Sequence, residues 1–293
     1  MELRTLKYFL EVAREGSITR AAAHLHLTQP TLSRQIAQIE DELGEKLYTR
    51  ENYGIRLTEE GVLLKKRAEE ILELEEKIRL EFSGDNISGT IYIGAGETAG
   101  IKHIARIIKH LREKYHEIKF RMISADAEDV TDKLDRGLID FGVFVGKVNL
   151  NKYDCITLPH YDTWGIMARY DDELAAKNFI VPEDLREREL LLSHQAKVQG
   201  EFVGWLGYPV DELNIVGTHN LAYNASVMVR EGLGVLLTIS GIVNIENDLR
   251  FIPLKPELKA GLMLAWKKEV VMSKAARKFL EFATSLSALD HQG

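Results

Sequence analysis

Leu32, Ile36, Ile39 and Leu43 recur at intervals of three and four residues. At 100° per residue they fall within an arc of about 60°, so this segment must be a helix with one buried face. The opposite face carries Pro30, Arg34 and Ala37, flanked by Thr31, Ser33 and Gln38. A plain bundle helix would more often place Lys and Glu there. Guanidinium, amide and hydroxyl groups among small side chains instead suit entry into a major groove, where Arg pairs with guanine and Gln with adenine. Thr28 can cap this helix, with Gln29 and Pro30 in its first turn, where a missing N–H costs little.

Two shorter segments precede it. Leu3, Leu6, Phe9, Leu10 and Ala13 mark an amphipathic helix that Gly16 stops. Ser17 or Thr19 can cap a short second helix through Ala21-Ala22-Ala23 to Leu25. No Asp or Glu occurs between Glu15 and Glu40. A stretch without carboxylates suits contact with a polyanion, because each carboxylate would be repelled by phosphate. Helix, short turn and polar-faced helix together read as a helix-turn-helix.

Leu47 to Leu57 reads as a small hairpin, or wing, with Arg50 and Arg56 available to phosphates. Thr58 then caps a long helix with Glu59 and Glu60 at its positive end. Its stripe is Leu64, Ala68, Ile71, Ile78 and Phe82, interrupted by Glu75. A helix of this length with one apolar stripe is expected to pair with a second copy.

The order Phe9, Ser17, Ala21-Ala22, Leu27-Thr28-Gln29-Pro30-Thr31-Leu32-Ser33, Ile36, Leu43-Gly44, Leu47, Arg50 and Leu57-Thr58-Glu59-Glu60-Gly61 resembles the LysR-type transcriptional regulators. The resemblance runs through about the first sixty residues. It implies that Thr28 to Gln38 is the recognition helix, Arg50 sits at the wing, and Thr58 begins the linker helix that pairs two subunits. With the surface reading above, the expected DNA-binding residues are Ser17, Thr28, Gln29, Pro30, Thr31, Ser33, Arg34, Gln35, Gln38, Arg50 and Arg56.

Ser83 to Gly89 is a polar, glycine-bearing linker. A strand at 90–94, a helix marked by Ile101, Ile104, Ala105, Ile108 and Leu111, an alternating strand at Ile118, Phe120 and Met122, a helix through Val130 and Leu134, and an apolar strand at 139–145 follow. This β-α-β-α-β order is the signature of a parallel sheet with crossover helices. A second such unit has strands at 164–168, 190–193, 213–216 and 232–237, with a helix at 220–231. A strand at 262–266 and a helix at 273–286 close the chain.

Two α/β lobes joined by crossing segments resemble the effector domain of the same family, which is similar to periplasmic solute-binding proteins. The fold class expected is multidomain: a winged helix-turn-helix (residues 1–58), a linker helix and hinge (59–88), and a two-lobed α/β effector-binding domain (89–293). Its first lobe would comprise about 89–161 and 267–293, its second about 162–266. Leu237-Thr238 departs from the family, where a proline is commoner.

Ligands of open α/β sheets sit beyond the carboxyl ends of strands, here between the lobes. Gly96, Glu97 and Thr98 join a strand to a helix N-terminus whose N–H groups can hold an anion. Thr98 matches the family's hydroxyl position for effector contact. Gly146, Ser193, His194, His219 and Asn220 are the other effector candidates by position.

Catalytic alternatives are poorly supported. No GxSxG, P-loop lysine or HExxH occurs, and His24 and His26 are badly spaced for a helical metal face. Cys155 is the one cysteine, which excludes an intramolecular disulfide and a multi-cysteine metal site. A net charge of −7 argues against an overall basic surface. No apolar run is long enough to span a bilayer, and Met1-Glu2-Leu3-Arg4 opens no signal peptide, so a cytoplasmic location is expected. The family resemblance implies no enzyme activity, cofactor or metal. The partners it implies are double-stranded DNA, a second copy (with a tetramer beyond the dimer), a small-molecule effector and RNA polymerase, but no membrane.

Overall fold

The structure, a computed structural model, describes residues 1–51, 54–81, 87–146, 151–193, 200–242 and 248–290. They belong to two compact units, Met1–Ser83 and Gly84–Gly293.

In the first unit, α1 (Leu3–Glu15), α2 (Ile18–His24) and α3 (Gln29–Leu43) precede a hairpin of β1 (Tyr48–Glu51) and β2 (Gly54–Leu57). The long helix α4 (Glu59–Glu81) follows. Boundaries fall where the side chains can serve orphan backbone groups. Gly16 ends α1 with its N–H on the Val12 carbonyl, and Ser17 Oγ accepts the Arg20 N–H at the start of α2. Thr28 Oγ1 accepts the Thr31 N–H at the start of α3. Each such cap is worth about 1 kcal/mol. Thr58 Oγ1 accepts the Gly61 N–H at 3.0 Å and opens α4. Glycine is required at 61 because a Cβ there would stand 2.0 Å from the Leu47 carbonyl oxygen.

Leu6, Phe9, Val12, Ile18, Ala21, Ala22, Leu32, Ile36, Ile39, Leu47, Leu64 and Ala68 form the core of this unit. Three expectations need correction. On α1, Leu3 is exposed and Val12 is buried in its stead. On α3, the fourth position of the stripe is not Leu43, which is 45% exposed, but Glu40, which is 6% exposed. The Glu40 carboxylate is held inside by the Leu47 N–H (2.9 Å) and Lys46 Nζ (2.7 Å). On α4, Leu64 and Ala68 pack into their own unit and are not free for a second copy. The tip of the wing (52–53), the end of the expected stripe at Phe82 and the rest of the hinge to Asn86 lie outside the described residues.

The second unit is built on one mixed sheet. Its elements are β3 (Gly89–Ala95), α5 (Ile101–Lys114), β4 (Ile118–Ser124), α6 (Ala127–Asp135), β5 (Phe141–Val145) and β6 (Tyr153–Arg169), then β7 (Glu189–Ser193), α7 (Gly200–Leu206) and β8 (Asn214–His219). The last are α8 (Ala222–Arg230), β9 (Val235–Ile239), β10 (Leu249–Pro253), β11 (Lys259–Lys267) and α9 (Lys274–Asp290). Strand order is β4-β3-β5-β11-β6-β9-β7-β8, with β10 paired to β6. The β-α-β units are parallel as expected, β3 with β4 and β5, and β7 with β8 and β9. The two long strands β6 and β11 are antiparallel to their neighbours, so the sheet is mixed rather than purely parallel.

The expectation for 164–168 covers only the second half of β6. Its first half pairs with β11 in the first lobe, while 164–169 pairs with β9 and β10 in the second. β10 and α7 are not anticipated at all. The return crossing also moves. Leu262, Leu264 and Trp266 pack with Phe141 and Phe279 in the first lobe, whereas Leu258 and Ala260 pack with Trp164 and Ile252 in the second. The chain therefore re-enters the first lobe near Gly261, not at 267. Two periodicities slip as well: Ala105 and Phe120 are exposed, and Ile107 takes the buried place on α5. Among the described residues no helix is long and apolar enough to cross a membrane.

Candidate functional site

On α3 the buried stripe leaves Gln29, Pro30, Thr31, Arg34, Ala37 and Gln38 exposed, with Ser33 and Gln35 half-buried. Packing of Leu32, Ile36 and Ile39 fixes the rotation of the helix, and thereby which groups face outward. Arg34 on α3 and Arg50 on β1 are exposed and make no ion pair among the described residues. Both guanidiniums are free to meet an anion. The other members of the expected set are partly occupied. Arg56 Nε lies 2.7 Å from Glu51 Oε1, Gln38 Nε2 donates to Glu42 Oε1 at 3.1 Å, and the Thr28 and Thr31 hydroxyls share a 2.8 Å hydrogen bond. Ser17 serves as the N-cap of α2.

Glu11, Glu15 and His24 place ligand atoms within 4.8 Å of one another. The Arg14 guanidinium already fills that space with a cation, 2.5 Å from Glu11 Oε1 and 3.2 Å from His24 Nδ1.

In the second unit, a cleft partly open to solvent lies between the lobes. Of the eight expected residues, Gly96, Glu97, Ser193, His219 and Asn220 line it. The strand ends deliver them: β3 leads into Gly96 and Glu97, β7 ends at Ser193, and β8 ends at His219. Thr98 and Gly146 do not. Thr98 is 6% exposed, donates to Asp162 Oδ2 and accepts the Gly100 N–H at 2.9 Å, so the start of α5 is already served by its own chain. Gly146 makes a turn whose N–H bonds the Gly261 carbonyl at 2.8 Å. His194 lies outside the described residues.

Sequence reasoning missed Asp126, Trp164 and Thr238, together with the apolar wall of Val143, Phe144, Leu237, Ile239 and Ile242. Asp126 carried a signal, an Asx residue before a helix, and its Oδ1 indeed accepts the Asp129 N–H at 3.0 Å. Trp164 carried none, because its place depends on β6 crossing from lobe to lobe. Glu97 does not point to solvent: its carboxylate crosses the cleft and accepts the Ala222 N–H at the start of α8. Asn220 Oδ1 accepts the Leu221 N–H (3.0 Å). Burial pushes the His219 imidazole below its ordinary pKa, against a smaller opposing pull from the Leu221 backbone. This histidine is therefore neutral near pH 7.

Comparison with known proteins gives two family matches. Residues 3–62 match the bacterial regulatory helix-turn-helix protein, lysR family, and residues 84–288 match the LysR substrate binding domain. The HTH-type transcriptional activator IlvY of Salmonella typhimurium is 32% identical over 145 residues, 49% of this chain and 49% of that protein. The chain thus spans about half the length of that relative. The uncharacterized HTH-type transcriptional regulator YvbU of Bacillus subtilis is 28% identical across 98% of this chain and 99% of its own length. Among solved structures, full-length CbnR complexed with its target DNA superposes with a TM-score of 0.74 at 19% identity, over 97% of this chain and 99% of that one. At that identity the likeness speaks for the fold.

Proposed function

Since this chain belongs to the LysR family of bacterial regulatory helix-turn-helix proteins, we propose that it is a sequence-specific transcriptional regulator whose operator binding or promoter activation responds to a small effector held between its two α/β lobes. The observation that carries the DNA half is the outward face of α3, which is free of carboxylates from Gln29 to Gln38 and presents an Arg34 unpaired among the described residues. In this reading α3 lies in the major groove, Arg34 and the glutamines meet base edges, and Arg50 on the wing meets phosphate. Thr28, Thr31 and Ser17 help mainly by fixing the helix starts that aim those groups.

The protein acts as at least a dimer in this proposal. Two recognition helices must reach successive major grooves, about 34 Å apart. After Leu64 and Ala68 enter their own core, Ile71, Leu74 and Ile78 continue along α4 as an exposed apolar stripe. Glu75 lies inside that stretch but is drawn to Lys7 Nζ at 3.1 Å, clear of the seam. A second copy of α4 is the occupant proposed for this stripe, and a cytoplasmic location goes with a DNA-bound function.

Competitor titration tests the proposal. A duplex selected from random sequences by the full chain should stay bound in a large excess of unrelated duplex. Equal displacement by any duplex would leave only non-specific binding.

A further inference from the structure

One backbone N–H at each of three helix starts, two of them at the interlobe cleft, is already taken by an oxygen of this chain. Asp126 Oδ1 accepts the Asp129 N–H at α6, Thr98 Oγ1 accepts the Gly100 N–H at α5, and Glu97 accepts the Ala222 N–H at α8. Such N–H groups are where an anionic ligand ordinarily binds. Two of the three are held by carboxylates that line the cleft, and each repels a further negative charge. Among the described residues, no Lys or Arg lines the cleft to offset them.

What the cleft leaves unsatisfied is uncharged. Trp164 lines the cleft and is 7% exposed, and its buried Nε1–H has no hydrogen-bond partner among the described residues. The ring nitrogens of His219 are buried as well and have no regular hydrogen bond among the described residues beyond the pull of the Leu221 backbone, and burial favours the neutral ring. Buried donors and acceptors in this state are costly, so they call for a polar partner that enters with a ligand. Around them Val143, Phe144, Leu237, Ile239 and Ile242 offer an apolar wall.

We propose that the effector is a small uncharged molecule. It carries a carbonyl or hydroxyl oxygen that accepts from Trp164 Nε1–H, a second polar group that meets His219, and an apolar body against Phe144 and Ile239. Carboxylates and phosphates are excluded by Glu97 and Asp126. This inference rests on the effector reading above and narrows it to a chemical class.

Three probes of one ring size and different charge test it: benzamide, benzoate and benzamidine. Each is titrated into the full-length protein labelled with nitrogen-15, and the indole N–H resonances are followed by NMR. Trp164→Phe identifies the relevant signal; should that variant not fold, Trp205→Phe and Trp266→Phe assign it by exclusion. Benzamide should move the Trp164 proton downfield and bind at least about tenfold tighter than the other two. Tightest binding by benzoate, with the Trp164 signal shifted, would overturn the charge assignment while keeping the cleft as the effector site. Tightest binding by benzamidine would do the same and transfer recognition to Glu97 and Asp126. If none of the three shifts the Trp164 resonance, the inference fails together with the cleft as effector site.

Discussion

Thr98 Oγ1 donates to Asp162 Oδ2 at 2.5 Å, tying the turn after β3 to the strand that crosses between the lobes. Asp162 is 1% exposed, and its other oxygen lies 2.9 Å from His160 Nε2. A hydroxyl that the sequence suggests for ligand contact thus spends its hydrogen bonds within the fold.

Removing that hydroxyl should lower stability and leave ligand chemistry alone. Thr98→Val leaves Asp162 with an unsatisfied buried oxygen, a loss of about 1–3 kcal/mol. Urea unfolding of the effector unit should show it, and Thr98→Ser should restore most of it. Unchanged stability in Thr98→Val would mean that the pair contributes little.

Arg34 lies opposite the packed stripe of α3 and has no ion-pair partner among the described residues. Arg34→Ala should therefore keep the fold and lose about 1–3 kcal/mol of operator affinity if the side chain reads a base. A loss confined to the selected duplex marks a base contact. A uniform loss on all duplexes, with a shallower salt dependence, marks a phosphate contact. Undiminished affinity for the selected duplex would remove α3 from the groove.

The seam on α4 invites a separate test. Ile71 is 37% exposed in the protomer, so Ile71→Asp costs one folded chain little, yet it places a charge in the proposed helix pair. Light scattering should report monomers, and operator binding should weaken. An intact oligomer would take α4 out of the interface.

Periodicity made the helical half of this protein legible, and it failed where a tertiary contact overruled hydropathy. Leu32, Ile36 and Ile39 are core because nothing competes with their burial. Glu40 displaces Leu43 because the Leu47 N–H, seven residues on, satisfies its carboxylate inside. The cleft is legible through strand ends, which deliver Gly96, Ser193 and His219. Its apolar wall was not, since Trp164 and Ile239 meet only by the pairing of β6 with β9. Glu97 shows the same limit: its charge was visible, but its partner, the Ala222 N–H, lies 125 residues away.

The last prediction concerns pH. Burial lowers the folded-state pKa of His219, so below about 6.5, the ordinary value of the free imidazole, the unfolded chain takes up a proton that the folded chain resists. The unfolded state then binds more protons, and stability must rise with pH across this window. Stability attributable to the neutral ring is complete above about pH 6.5 and is lost as pH falls below it. Other groups titrate in the same range, so the informative quantity is the difference between the parent and His219→Gln. Melting temperature measured from about pH 7.5 to about pH 5 should fall more steeply for the parent than for the variant. Parallel curves would show that His219 protonates as easily in the folded protein as in the unfolded chain, and the neutral ring assigned to the cleft would have to be given up.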